Sequence, residues 1–113
     1  DYRVRPSADS NISAAWKGQN LNIIDVSLGG LQFDYRGNDL PKMGEALKIV
    51  LKIDGNSLEL TANVIRITAP VSNDLSIRNT GVKFIGIRRD YERLLTQKIL
   101  EIQRGLLVDR KLV

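Results

Sequence analysis

The chain has 113 residues, of which 42% are hydrophobic and 27% are charged. This length fits one globular domain with a core that folds without disulfides or metals. The absence of cysteine and histidine excludes thiolate and imidazole metal sites, cysteine nucleophiles and Ser-His-Asp triads. We therefore expect a protein that is not an enzyme and holds no cofactor or metal. A cysteine-free chain fits a reducing compartment, so we predict a cytoplasmic location.

The net charge is +4, from 17 Lys and Arg against 13 Asp and Glu, and it suits an anionic partner without identifying one. No apolar run approaches the roughly 18 residues that a membrane span needs, and no signal peptide is visible. The chain begins with Asp1 instead of methionine. We expect that residues of the native protein precede it.

The first half of the chain predicts a basic arm followed by three strands. Residues 1–8 are basic and interrupted by Pro6, which indicates a flexible extended arm. Glycine-containing turns then separate the strands, which are predicted over Asn11–Trp16, Asn20–Val26 and Leu31–Tyr35. The segment Arg36–Glu45 is rich in Gly, Asn, Asp and Pro and predicts a loop.

The second half of the chain begins with a hairpin signal. Two alternating segments, Ala46–Ile53 and Leu58–Ile67, flank Asp54-Gly55, a pair typical of a two-residue β-turn. A loop is predicted over Thr68–Asn73 and a last strand over Gly81–Ile87. The strand count then favours an antiparallel barrel, because closure removes exposed strand edges.

From Asp90 to about Leu107 the apolar spacing changes to three and four residues, which predicts an amphipathic helix. Its apolar residues are Tyr91, Leu94, Leu95, Ile99, Ile102 and Leu106. Asp90 is predicted to be the N-cap, and Glu92 suits the first turn. The predicted fold is therefore mainly β, a six-stranded antiparallel barrel with a C-terminal helix. We divide this single domain into an arm (1–8), a barrel (9–87) and a helix (88–108).

The segment Asp25-Val26-Ser27-Leu28-Gly29-Gly30 joins two predicted strands and reads D-x-S-x-x-G. As a plain turn, it would use Asp25 and Ser27 to bond nearby backbone N–H groups and glycine to supply positive φ. As a binding site, it would use the carboxylate to accept from guanine N–H groups, and glycine would let a phosphate or base approach the backbone. Taken alone, the segment leaves both interpretations open.

Two arginines of the arm have a chemistry that complements this turn. Arg3 is 22 positions before Asp25, a length that allows one strand out, a turn and one strand back. Guanidinium groups bind phosphate bidentately, stack on flat bases and match the O6/N7 edge of guanine. Arg3, Arg5 and the turn together predict a site for a guanine nucleotide. The alternative for both arginines is a solvated basic arm.

The sequence resembles the PilZ domain family over nearly its whole length. The resemblance rests on Asp25–Gly30, on Gly81-Val82-Lys83-Phe84 in the last strand and on Ile102-Gln103-Arg104 near the end of the helix. PilZ domains are bacterial receptors for the second messenger cyclic di-GMP. The resemblance implies a six-stranded barrel with a C-terminal helix. It also implies a ligand site built from an N-terminal R-x-x-x-R arm and a D/N-x-S-x-x-G turn.

The implied ligand residues are Arg3, Asp25, Ser27 and Gly30, with Arg5 and Gly29 in secondary positions. Arg3 matches the second arginine of R-x-x-x-R and would bind guanine and phosphate. Asp25 and Ser27 would bond guanine or phosphate, and the last glycine would keep the backbone clear. The first arginine of the motif would lie two positions before Asp1, and Arg5 has the wrong spacing to replace it. One such charge-assisted contact is worth about 1.5–3 kcal/mol, roughly a ten- to hundredfold change in affinity.

Other basic and aromatic residues are predicted to be solvated or structural. Exposed strand faces are predicted for Lys48, Lys52 and Lys83. Trp16 is predicted to be buried against the barrel and not stacked on a base. Arg88 and Arg89 precede the helix, where they either reach a phosphate or face solvent.

The leading hypothesis is a module that binds cyclic di-GMP and relays the signal to a partner protein or a fused output domain. The alternative is a PilZ-like domain that binds no nucleotide and works through protein contacts, and the intact Asp25, Ser27 and Gly30 set argues against it. A basic barrel that binds RNA or single-stranded DNA is disfavoured. Only 5% of residues are aromatic, and no strand interleaves them with Lys or Arg.

Overall fold

The computed structural model describes residues 3–37, 39–68 and 77–111, with helix side chains as far as Gly105. The described strands are β1 (Ile12–Trp16), β2 (Gln19–Val26), β3 (Gly30–Arg36), β4 (Ala46–Ile53), β5 (Asn56–Thr68) and β6 (Ile77–Ile85). They form a closed barrel in the order β1-β2-β3-β6-β5-β4, in which every pairing is antiparallel and β4 returns to β1. A single-turn 3-10 helix (Ala8–Ser10) precedes β1, and α1 (Arg89–Lys111) follows β6. The predicted barrel with a C-terminal helix is confirmed.

Strand β4 shows how alternation in the sequence forms the barrel wall. Its apolar residues Leu47, Ile49, Leu51 and Ile53 are all buried. Lys48 and Lys52 between them are exposed, as predicted, because successive strand residues point to opposite faces. Each buried aliphatic side chain contributes about 1.5–3 kcal/mol. At the end of β4, Asp54 and Gly55 both have positive φ, +49° and +85°, so the predicted two-residue turn into β5 is confirmed.

The only tryptophan in the sequence is part of this core. Trp16 is 3% exposed, and its ring meets that of Tyr35 edge-on, with 5.3 Å between the centroids. The Tyr35 hydroxyl donates to Gln19 Oε1 at 2.9 Å, which satisfies the polar end of the ring pair. The prediction that Trp16 is buried is confirmed.

Strand β6 differs from its predicted bounds at both ends. It begins at Ile77, four residues before Gly81, because residues 77–80 pair with residues 33–36 of β3. This pairing depends on the neighbouring strand and leaves little apolar signal in the sequence. The strand ends at Ile85, because Gly86 has a φ of +61°. A loop is predicted over Thr68–Asn73, but Thr68 is the last residue of β5. The other residues of that loop lie outside the described part of the chain.

The start of α1 corrects the predicted N-cap. The helix begins at Arg89, so Asp90 is inside the first turn. There its carboxylate accepts from the Arg88 guanidinium at 2.8 and 3.1 Å, and both Asp90 and Glu92 still suit the positive end of the helix. The Arg88 guanidinium also lies 4.6 Å from the ring centroid of Tyr91. These contacts hold Arg88 at the helix start.

The apolar face of the amphipathic helix α1 packs on the barrel. Its buried residues are Leu95, Ile99 and Ile102, and Tyr91 and Leu94 are partly buried beside them. The side chain of Leu106 lies outside the described residues. Within the part of the chain that the structure describes, no helix has both the length and the apolar content needed to cross a membrane.

A buried lysine on the packed face of α1 was not predicted. The Lys98 side chain is 1% exposed, and its ammonium contacts Asp54 Oδ1 at 2.8 Å and Glu101 Oε2 at 2.9 Å. Burial alone would lower the pKa of Lys98, but the hydrogen bonds to the two carboxylates outweigh it and raise the pKa above the ordinary 10.5. Since Asp54 belongs to the turn between β4 and β5, this contact fixes the helix against that turn.

The raised pKa of Lys98 predicts a loss of stability at alkaline pH. Below pH 10.5 the Lys98 ammonium is charged in both the folded and the unfolded chain, so its contacts with the two carboxylates contribute fully to the stability of the fold. Above that pH the unfolded chain releases the proton first, and stability falls as the pH rises through the folded-state value. Denaturant unfolding at several pH values should show a smaller alkaline decline in Lys98→Met than in the unaltered chain. Equal declines would contradict this assignment.

One buried hydroxyl predicts a stabilising substitution. Thr80 is fully buried in β6, and its Oγ1 has no hydrogen-bond partner among the described residues. A buried hydroxyl without a partner costs about 1–3 kcal/mol. Thr80→Val replaces it with a methyl group of similar shape and should raise the free energy of unfolding by about 1 kcal/mol. Denaturant unfolding measures the change, and a decrease in stability would refute the assignment.

Candidate functional site

The segment Asp25–Gly30 forms a tight turn between β2 and β3 that is held by one serine. The Ser27 Oγ accepts from the backbone N–H groups of Gly29 and Gly30, each at 3.2 Å. The Ser27 N–H donates to the Gly30 carbonyl oxygen at 2.9 Å. The residue is 5% exposed. The turn interpretation is therefore correct for Ser27, whose hydroxyl still has its own hydrogen to donate.

The glycines of the turn have a different role from the one expected. Neither Gly29 nor Gly30 has a positive φ, so the expectation of left-handed backbone is wrong. A Cβ on Gly30 would lie 2.1 Å from the carbonyl oxygen of Val82 on the neighbouring strand β6, where Gly30 pairs with Lys83. Gly30 is thus required by the close approach of two strands.

Backbone hydrogen bonds of Val4 join the arm to the barrel. The Val4 N–H donates to the Val26 carbonyl at 3.0 Å, and the Val26 N–H donates to the Val4 carbonyl at 2.9 Å. Val4 is 4% exposed and belongs to the core. This anchor brings Arg3 Nη1 to 3.8 Å from Asp25 Oδ1, with side-chain exposures of 53% and 17%. The predicted proximity of the arm and the turn is confirmed.

A cleft of about 170 Å³ lies beside this turn, and it contains most of the predicted site residues. The predicted residues that line it are Arg3, Asp25, Ser27, Gly29 and Gly30. Arg5 lies elsewhere. It lines a second cleft, together with Ser7 and Asp9 of the N-terminal segment and Glu101 of α1. The structure therefore brings together five of the six predicted ligand residues.

Three further polar side chains of the cleft were not predicted as site residues. Gln32, Arg66 and Lys83 line it on β3, β5 and β6, and the sequence predicts an exposed strand face for Lys83. Lys83 is indeed exposed. A register shift between Val64 and Arg66 interrupts the alternation of β5. Because no sequence motif marks this shift, the sequence does not predict on which face of the barrel wall Arg66 lies.

The cleft attracts anions. The charged residues among its lining are Arg3, Arg66 and Lys83 against the single carboxylate Asp25, which leaves two net positive charges. Arg3 is near Asp25, whereas Arg66 has no ion pair or hydrogen bond with any residue that the structure describes. A ligand with negative groups and a polar hydrogen-bonding edge fits this arrangement.

Comparison with protein families gives one match that covers most of the chain. The sequence model of the PilZ domain matches residues 1–101. Among curated proteins, no sequence is significantly similar to this one. The family match includes the arm, all six described strands and the first part of α1.

Several solved structures share the fold. The structure of the MrkH–c-di-GMP complex of K. pneumonia has a TM-score of 0.75 and 21% identity, and the match covers 98% of this chain and 54% of that one. YcgR of Escherichia coli in complex with c-di-GMP gives 0.71 and 16%, covering 97% and 48%. The PilZ domain of that YcgR with c-di-GMP gives 0.73 and 15%, covering 99% and 96%. This chain thus spans about half the length of the first two proteins.

Proposed function

The chain belongs to the PilZ domain family, and from this membership we propose that it is a receptor module for cyclic di-GMP. The proposal rests on one observation, that the arm and the D-x-S-x-x-G turn line the same cleft. In this cleft Arg3, Asp25 and Ser27 are close enough to contact one ligand. Two solved relatives of the same fold are complexes with c-di-GMP.

The side chains of the cleft suit a guanine base and a phosphodiester. The Asp25 carboxylate accepts from the N1–H and N2 amine of guanine, and the Arg3 guanidinium donates to a phosphate or to the O6/N7 edge. Ser27 accepts two backbone hydrogens and donates its own to a ligand oxygen. The two net positive charges of the lining equal in number the two phosphodiester charges of the ligand.

The module transmits the binding event and does not catalyse a reaction. Arg3 lies on the arm, which the Val4–Val26 pair joins to the end of β2. A ligand that binds Arg3 and Asp25 together fixes the arm over the cleft and changes the surface offered to a partner protein or a fused output domain. In this proposal the module acts in the cytoplasm and binds neither DNA nor RNA.

A calorimetric titration tests the proposal. Cyclic di-GMP should bind saturably, while cyclic di-AMP should bind at least about tenfold more weakly, because adenine lacks the donor pair that faces Asp25. GMP is a second control, since it carries one guanine base and a phosphate monoester in place of the two bridging phosphodiesters. Equal affinity for all three would indicate nonspecific anion binding. Absence of binding would favour the alternative, a PilZ domain that works only through protein contacts.

A further inference from the structure

Three of the large apolar side chains that the barrel exposes lie together on its outer wall. Met43 is 62% exposed, Ile65 is 55% exposed and Ile85 is 45% exposed. The pairing of β5 with β6 places Ile85 opposite Thr61, four residues along the strand from Ile65, or roughly 13 Å. The N–H of the residue after Met43 donates to the Val64 carbonyl oxygen at 2.9 Å, so Met43 lies beside Ile65. These side chains form an apolar strip along β5 and β6.

Strand register shows that this strip belongs to one continuous surface. The two rows that cross β6, β5 and β4 contain, in that order, Lys83, Asn63 and Ala46, and then Ile85, Thr61 and Lys48. All six side chains are exposed or partly exposed, because every second residue of a strand points to the same side of the wall. We call these six residues, together with Met43 and Ile65, the outer face. Its middle carries short side chains, so a partner can approach the strands closely.

The outer face is positively charged. Its charged residues are Lys48 and Lys83, and neither has an ion pair among residues 3–37, 39–68 and 77–111. The charged residues on its border are Lys42, Lys52 and Arg66 against Glu45 and Glu59. Two unpaired ammonium groups beside exposed isoleucines suit a partner that presents carboxylates next to apolar side chains.

The same residues argue against the other occupants of such a surface. A lipid surface would leave the Thr61 hydroxyl and the Asn63 amide, which lie between the isoleucines, without hydrogen-bond partners. A second copy of this chain would bring the lysines of one outer face against those of the other. A protein segment with carboxylates avoids both penalties, because its polar groups bond Thr61 and Asn63 while its carboxylates approach the lysines.

We infer that the outer face docks a partner protein through an acidic segment with an apolar stripe. The stripe covers Ile65 and Ile85, and carboxylates on its flanks bind Lys48 and Lys83. This inference rests on the relay step of the proposed function, to which it adds the surface and the chemistry of the partner. Ile65 and Lys83 also line the cleft beside the turn, so the docking surface is continuous with the candidate ligand site.

Calorimetric titration of a designed peptide tests the inference. The probe is a helical peptide of about 18 residues, with leucine along one side and glutamate on both flanks, and its length of about 27 Å covers both isoleucines. The peptide should bind saturably, and Ile85→Ser should weaken its binding about tenfold, because a large apolar contact is lost. Lys48→Glu should weaken binding at low salt and much less at high salt.

Two matched control variants lie on α1, outside the outer face. Leu100→Ser makes the same kind of change at a side chain that is 44% exposed, against 45% for Ile85. Arg93→Glu reverses one charge at an exposed helix position. Both variants should bind the peptide as the unaltered chain does, and denaturant unfolding should show that all four variants are folded.

The inference is wrong if the peptide does not bind, or if a peptide with lysine in place of every glutamate binds equally well. It is also wrong if the unaltered chain binds phosphatidylglycerol vesicles, or dimerises in sedimentation, and Ile85→Ser abolishes this behaviour. In those cases a lipid surface or a second copy of the chain occupies the outer face.

A separate titration with cyclic di-GMP distinguishes this inference from the proposed function. Lys48 and Ile85 do not line the cleft beside the turn, so Lys48→Glu and Ile85→Ser should bind cyclic di-GMP as the unaltered chain does. If cyclic di-GMP binds and the peptide does not, the inference fails and the receptor function stands. If the peptide binds and cyclic di-GMP does not, the receptor function fails and the docking surface remains.

Discussion

Replacing Asp25 with alanine is expected to weaken cyclic di-GMP binding about ten- to hundredfold while the barrel stays folded. The carboxylate is 17% exposed and lines the cleft, and two charge-assisted hydrogen bonds to a guanine edge would be lost, at about 1.5–3 kcal/mol for the interaction. Its ion pair with Arg3 is long, at 3.8 Å, and the Arg3 side chain is about half exposed, so its removal should change stability by less than about 1 kcal/mol. Calorimetry and denaturant unfolding measure the two effects separately.

Two further variants make this prediction specific to the cleft. Arg3→Ala should weaken binding by a similar factor, because it removes the guanidinium that faces the same ligand. Glu59→Ala removes a carboxylate from an exposed position of β5 outside the cleft and should slightly strengthen binding or leave it unchanged. Undiminished affinity in both Asp25→Ala and Arg3→Ala would refute the site assignment.

Gly30→Ala is expected to cause the largest loss of stability, about 3 kcal/mol. The new Cβ would lie 2.1 Å from the Val82 carbonyl oxygen and 3.2 Å from its carbon. Both atoms are backbone, so no flexible side chain can move to relieve the collision. Strands β3 and β6 must separate, which disturbs the pairing of Gly30 with Lys83 and of Leu31 with Val82. Denaturant unfolding should show a lower midpoint.

The same substitution elsewhere in the chain supplies the control. Gly105 lies in α1, where a Cβ would meet nothing within 4 Å, so Gly105→Ala should stabilise the protein by about 0.5–1 kcal/mol through the better helix propensity of alanine. If Gly30→Ala is as stable as the unaltered chain, then β3 and β6 do not approach each other as closely as the 2.1 Å distance requires. Because Gly30→Ala perturbs the fold, weakened ligand binding in that variant does not test the site.

The fold was predictable because its signals are local. Alternation in β4, the Asp54-Gly55 turn and the change of period near Asp90 each depend on neighbouring residues only. The bounds of β6 were wrong, since residues 77–80 join the strand through their pairing with β3. Lys98 was also missed, because Asp54, one of the two carboxylates that compensate for its burial, comes from the distant turn between β4 and β5.

The candidate site was predictable only in part, because some of its residues are brought together only by strand pairing in the folded barrel. Asp25, Ser27 and Gly30 lie within six consecutive residues and form a recognisable turn. Gln32, Gly81 and Arg66 are far apart in the sequence and become neighbours through strand register and the bulge in β5. Arg5 shows the converse, since it lies two residues from Arg3 in the sequence but lines the second cleft.

Backbone amide chemical shifts, recorded by NMR during a titration with cyclic di-GMP, test the receptor function and its site together. The amides of Gly29, Gly30 and Gly81 should shift with one common affinity, because all three line the first cleft. The amides of Ser7 and Gly105 line the second cleft and should shift much less. Absence of shifts at the three glycines, or larger shifts at Ser7 and Gly105, would contradict a cyclic di-GMP site beside the Asp25–Gly30 turn.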